Sequence, residues 1–215
     1  IYKFINGPIS KDKFLNKKYP GITEYIAKKN KSRRNAMLIY NEKLSVCPIT
    51  THLPIKKVSK KITSEAISEK VYLINAFFKK LRGRKPKIGV IGLNPHCEST
   101  DKFNEDEKII KPTIEQLKKS KYKISGPVSA DTIFLSQNRY KYDVIIGMYH
   151  DQVLSPLKAI HEFNAINITL GLTFLRISPD HGPNKHMIGR NISNPESLIK
   201  AIKFLDKNWL NQKKI

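Results

Sequence analysis

The chain has 215 residues, 40% of them hydrophobic, enough for one or two domains with a real core. Its two cysteines, Cys47 and Cys97, exclude a disulfide framework and fit a reducing cytosol, and no apolar run approaches the roughly 18 residues of a membrane helix. The net charge of +22 invites a nucleic-acid partner, but lysine far outnumbers arginine and the basic clusters are short and scattered, so the charge reads as compositional bias and neither a nucleic-acid nor a membrane partner is expected.

The chain opens at Ile1 without a methionine and runs at once into "FINGPISKDKF", which reads as the interior of a longer protein. Leu44–Ile49 is a short apolar run followed by "TTHLPI". Thr63 to Leu81 has helical spacing, with Ile67, Val71, Ile74, Phe78 and Leu81 on one stripe and Gly83 placed to end it. Lys87–Leu93 is a buried strand leading into "NPH", and a polar, acidic segment separates it from a helix around Ile114–Lys119. Val144–Met148 and Ile166–Leu170 are the next strands. The segment Pro195 to Lys207 is a helix, capped by Asn194, with Leu198, Ile202, Leu205 and Trp209 on one stripe. Alternating strands and helices predict an α/β architecture. No internal repeat, linker or domain boundary is visible.

Three of these strands are followed closely by a histidine: His52, His96 and His150. Ligands of open α/β sheets bind outside the carboxyl ends of the strands, so the three could converge. Imidazole is a common ligand of zinc and similar ions, and three ligands with an open position make a catalytic site. From spacing alone the three read either as a metal site or as hydrogen-bonded loop residues. Nothing marks His161, His181 or His186 as ligands. There is no Walker loop, and "GVIGLN" is no dinucleotide fingerprint. "SGPVSADTIF" reads as a Gly-Pro turn before a helix. Arg176 sits inside an apolar run and needs a partner, either an anionic ligand or an internal carboxylate.

The motifs "NGPISKDKF", "PGITEYI", "TTHLPI", "GLNPH", "GPVSADTIF", "YDVIIGMYHDQVLSPLK" and "INITLGLTFLRISPDHG" occur in the order found in the 4-hydroxythreonine-4-phosphate dehydrogenase family, which the chain resembles over essentially its whole length. The resemblance implies a three-layer α/β/α fold like the isocitrate and isopropylmalate dehydrogenases, here N-terminally truncated because the family's "GDPAGIGPE"-like motif is missing. Residues 1–215 would then be a partial region of that family. It also implies a cytoplasmic homodimer with active sites at the interface, and NAD as cofactor. His52, His96 and His150 become divalent-metal ligands drawn from both subunits, with zinc, magnesium or cobalt as the ion. Thr23, Lys158, Asn167 and Arg176 match substrate-contacting positions, Lys158 facing a phosphorylated substrate. The implied reaction is oxidation and decarboxylation of 4-phosphohydroxy-L-threonine in pyridoxal phosphate biosynthesis.

The chain departs from the family at several points. Gly-His-Thr-Glu becomes Gly21-Ile22-Thr23-Glu24, so a substrate-contacting histidine is isoleucine. The glycine-rich stretch after His96 becomes "CESTDKFNEDE", and Pro183 and His186 stand where threonine and an acid are usual. Ile22 keeps open a paralogous activity on 4-phospho-D-threonate or 4-phospho-D-erythronate, and the altered loops keep open a relative that binds metal without catalysis.

Overall fold

Alternation at period two sets the layers of the molecule. The computed structural model describes residues 2–10, 14–15, 18–19, 21–183 and 185–209. On β2 (Ala36–Tyr40), Ala36, Leu38 and Tyr40 enter one apolar cluster while Met37 and Ile39 enter another on the opposite face. On β6 (Val144–Tyr149), Val144, Ile146 and Met148 take the first face and Ile145 the second. Strands buried on both faces belong to the inside of a three-layer structure.

The described strands are β1 (Lys3–Ile5), β2, β3 (Ser45–Thr50), β4 (Ile88–Ile91), β5 (Ile124–Val128), β6, β7 (Ile166–Leu170) and β8 (Leu175–Pro179). They form one mixed sheet in the order β1-β8-β7-β2-β3-β6-β4-β5. β3, β6, β4 and β5 run parallel, whereas β2 is antiparallel to both β3 and β7, and β7 to β8. The parallel half therefore delivers the carboxyl ends of β3, β4 and β6 to one edge, each with its histidine beyond it.

Helices cover both faces. α1 (Ile22–Lys29) precedes β2. α2 (Ser64–Arg82) buries Ile67, Val71, Ile74 and Phe78 on the first face, each contributing about 1.5–3 kcal/mol by transfer from water. Its ends are marked as the sequence predicts. The Thr63 hydroxyl accepts from the Ala66 amide at 3.1 Å, and Gly83 closes the helix at φ 68°. α3 (Lys111–Lys119) lies on the same face. The short α4 (Ala130–Ile133) and α5 (Ser136–Arg139) precede β6, and α6 (His150–His161) packs Val153, Leu154 and Leu157 on the second face. α7 (Glu196–Trp209) ends the described chain. No described helix is long and apolar enough to cross a membrane.

The segments read as strands and helices form, within a few residues of their expected bounds. Two expectations are corrected. The apolar stripe of α7 holds only at Leu205, which packs against the core: Leu198 and Ile202 are 41% and 47% exposed, and Ser197, Ala201 and Phe204 face the sheet instead. Asn194 does cap that helix, its Oδ1 accepting from the Glu196 amide at 2.8 Å, while the Trp209 side chain lies outside the described residues. "SGPVSADTIF" is not just a turn, because its first residues belong to β5, the strand at the outer edge of the parallel half.

Candidate active site

β6 passes into α6 without an intervening residue: Tyr149 ends the strand and His150 starts the helix. Two side chains brace this junction. The Gln152 amide donates to the Gly92 carbonyl at 2.8 Å and its Oε1 accepts from the Met148 amide at 2.7 Å, joining the ends of β4 and β6. The Thr50 hydroxyl donates to the Met148 carbonyl at 2.8 Å, joining β3 to β6. The strand ends thus form a rigid rim, with a cavity of about 520 Å³ beside it. That size suits a small-molecule ligand.

His52 and His150 line this cavity with ring centroids 5.7 Å apart. Each ring has its Nδ1 on a carboxylate, His52 on Glu24 Oε1 at 3.1 Å and His150 on Asp151 Oδ1 at 2.6 Å. A carboxylate only accepts, so it selects the tautomer with hydrogen on Nδ1 and leaves Nε2 as the free donor atom. Two imidazoles so presented are a donor set suited to a divalent ion. Burial would raise Glu24, but its hydrogen bonds from His52 and Thr51 prevail and hold it down at about 2.

His96 stands apart. It lies in a neighbouring cavity with Ser129, Asp131 and Tyr149, its Nδ1 3.5 Å from the Ser129 hydroxyl. It and Cys97 are consecutive residues in the left-handed region, at φ 54° and 63°, a conformation that costs about 1–3 kcal/mol per residue. Asp106 pins the start of this turn from a fully buried position, its carboxylate accepting from the Leu93 and Asn94 amides at 2.8 and 3.0 Å. Among the described residues no three His, Cys, Asp or Glu side chains come close enough to share an ion within one chain.

The four substrate residues expected from the resemblance all line the cavity that holds His52 and His150. Arg176 is fully buried. Its guanidinium donates to three neutral oxygens, Asn6 Oδ1 at 2.6 Å, Thr169 Oγ1 at 3.0 Å and Thr23 Oγ1 at 3.3 Å, while Nη2 has no partner among the described residues. Burial pulls Arg176 down to about 10, against the attraction of Glu24, and it stays charged at neutral pH. The hydrogen bonds of this buried cation go to neutral oxygens, and the internal carboxylate Glu24 acts on it through charge alone. Asn167 adds a second atom without a partner among the described residues, its Oδ1. Thr23 is buried and touches Arg176 directly. Lys158 reaches across to Asp180, with Nζ 2.7 Å from Oδ2 and a further hydrogen bond to the Asp180 carbonyl. Burial raises the Asp180 carboxyl against the Lys158 charge. Ile22, at the family's histidine position, places an apolar side chain in the lining.

Glu24 and Asp106 went unread as site-forming residues. Glu24 stands in a motif that drew attention for other residues. Asp106 left no signal, because one buried acid in an acidic segment resembles its solvated neighbours.

The chain is 44% identical over 200 residues to a 4-hydroxythreonine-4-phosphate dehydrogenase of Sulfurihydrogenibium sp., covering 91% of this chain and 61% of that protein. It is 35% identical over 185 residues to a D-threonate 4-phosphate dehydrogenase of Pectobacterium atrosepticum, covering 86% and 57%. Its structure is similar to that of a 4-hydroxythreonine-4-phosphate dehydrogenase from Salmonella typhimurium, with a TM-score of 0.79, 31% identity and coverage of 95% and 63%. An isocitrate dehydrogenase from Methylococcus capsulatus shares the fold alone, at a TM-score of 0.55 and 12% identity. The chain spans about three-fifths of the length of these curated relatives. Across residues 1–205 it matches the family model described as pyridoxal phosphate biosynthetic protein PdxA, and with a rim of strand-end histidines beside a buried arginine it belongs to that family.

Proposed function

We propose that this chain is part of a cytoplasmic, homodimeric dehydrogenase that oxidises and decarboxylates 4-phosphohydroxy-L-threonine in pyridoxal phosphate biosynthesis, using NAD and a divalent metal. The observation that carries the reading is Arg176, a buried cation whose Nη2 has no partner among the described residues, in the same cavity as two carboxylate-held histidines. An anion and an oxidisable alcohol on one small molecule match those groups.

Arg176 binds an acidic group of the substrate through its free nitrogen, and Asn167 Oδ1 accepts from a hydroxyl or ammonium. Lys158 adds a second positive charge, which it shares with Asp180. Together these fix the secondary alcohol near the strand ends and gather the reacting groups in one orientation. The cavity lies against the second apolar cluster through Met37, Ile39 and Leu154, which keeps water from that side. A divalent metal held by His52, His150 and His96, the last contributed by the second subunit, would supply Lewis acidity toward the alcohol and then the ketone. Zinc and cobalt suit three imidazoles, and magnesium would fit where substrate oxygens complete the site. NAD, when bound, would supply the hydride acceptor, and the resulting ketone, β to a carboxylate, would lose carbon dioxide.

A second reading is favoured by Ile22. It removes a polar contact from the lining, and the 35%-identical relative is named for D-threonate 4-phosphate. A relative that binds metal without turnover is the third. NADH formation by the full natural chain, with 4-phosphohydroxy-L-threonine and 4-phospho-D-threonate as substrates, separates the three. We expect chelator-sensitive turnover of the first substrate that His150→Ala abolishes. Preference for the second supports the paralogous activity. Stoichiometric metal binding without NADH from either leaves the non-catalytic relative.

A further inference from the structure

Glu24 occupies the first turn of α1 and reaches the loop after β3. Its Oε1 accepts from the Thr51 hydroxyl at 2.8 Å and faces His52 Nδ1 at 3.1 Å. Its Oε2 is buried without a hydrogen bond among the described residues. Gly21 lies over this pair. A Cβ built there would stand 2.7 Å from Glu24 Oε2 and 2.9 Å from His52 Cε1, closer than real Cβ contacts come. The backbone of Gly21 is extended, at φ −164°, so glycine is needed for room and not for conformation.

We propose that Glu24 is a positioning residue for His52: it fixes the ring plane and the Nδ1–H tautomer so that Nε2 faces the cavity, and Gly21 supplies the room in which the pair assembles. The inference rests on the reading of His52 as a metal ligand given above. Among the described residues the carboxylate on His150 Nδ1 is an exposed one, Asp151. Glu24 is therefore the better shielded of the two carboxylates, although the contact to His150 is the shorter. A carboxylate behind a ligating imidazole typically changes metal affinity by about 10–100-fold.

The test is a cobalt(II) titration of the full natural chain, read by calorimetry and by the visible absorption of the bound ion. We expect Glu24→Ala to weaken binding about 10–100-fold and to shift the cobalt spectrum. Glu24→Gln, whose carbonyl still accepts from Nδ1–H, should recover part of both. In a His52→Ala background the Glu24→Ala change should have almost no effect on affinity, because its route to the ion is gone. Equal losses in both backgrounds would mean that Glu24 only ties α1 to the β3 loop, and would overturn the inference. If Glu24→Ala does not fold, Gly21→Ala decides, since it keeps the carboxylate but crowds the pair: unchanged affinity overturns the inference, and a loss confined to the His52-containing protein supports it. Failure of the unaltered chain to bind cobalt would instead remove the metal reading, and this inference with it.

Discussion

Thr169 and Arg176 are register partners across the β7–β8 pair, and the guanidinium donates to the threonine hydroxyl at 3.0 Å. The arginine is thus anchored by the sheet itself, with one nitrogen left over for a ligand. Lysine at this position would have a point charge in place of the fork. We expect Arg176→Lys to lower kcat/KM about 10–100-fold, the equivalent of a lost charge-assisted hydrogen bond of about 1.5–3 kcal/mol. Steady-state kinetics beside a melting curve checks this. Unchanged KM in a folded variant would mean the arginine is structural.

Gln152 spans from β6 to the Gly92 carbonyl. Removing it strands a carbonyl and the Met148 amide in a partly buried place. Gln152→Ala should cost about 1–3 kcal/mol by chemical denaturation and weaken metal binding too, because His150 sits on the same junction. A stability loss with intact metal affinity would show that the junction holds without its brace.

Restoring the family's residue addresses specificity. Ile22→His returns a polar side chain to the lining, and we expect KM for 4-phosphohydroxy-L-threonine to fall about tenfold or more. A fall for 4-phospho-D-threonate alone would point to the paralogous substrate.

Asp143 ties the turn before β6 to the end of α2. Its two oxygens accept from Arg84 at 2.7 and 2.8 Å, from Arg82 at 3.1 Å and from the Lys87 amide at 2.8 Å. Burial would raise this carboxyl, but these donors, Arg84 foremost, outweigh it and hold it below its usual value. A folded pKa below the unfolded value of about 3.9 adds stability that is fully present above that pH and is lost as pH falls through the folded value. Urea titrations of the wild type and Asp143→Asn should therefore differ at neutral pH and converge in strong acid. A constant difference down to acid denaturation would contradict the charge-based account.

Much of the parallel half was legible, since β3, β4 and β6 are near-continuous apolar runs, as strands buried on both faces are, and α2 carries a 3.6-residue period. α7 misled because apolar residues nearly encircle it: Leu198, Ile199 and Ile202 compete with Ala201 and Phe204, and packing on the sheet, not periodicity, chose the latter. β2 and β8 were harder to recognise, because five-residue apolar runs do not separate strand from buried helix and Arg176 interrupts one of them. Within the site, each histidine could be found from the strand that precedes it. Their grouping could not, since the turn after β4, in which His96 is itself left-handed, places it in a different cavity from His52 and His150. Glu24 was invisible as a partner of His52 because 27 residues separate it from Thr51 along the chain, and only the α1 packing closes that distance.

The missing linker between β6 and α6 sets where the chain can change length. An added residue after Tyr149 would turn His150 off the rim by roughly 100° of helix, through the 3.6-residue period, and would pull Gln152 from Gly92. Among the described residues, the stretch 98–103 between His96 and the buried Asp106 has no side-chain bridge between two strand ends like that of Gln152. Insertions and deletions among relatives should therefore gather in that segment, while the strand-to-helix joint keeps its spacing to the residue.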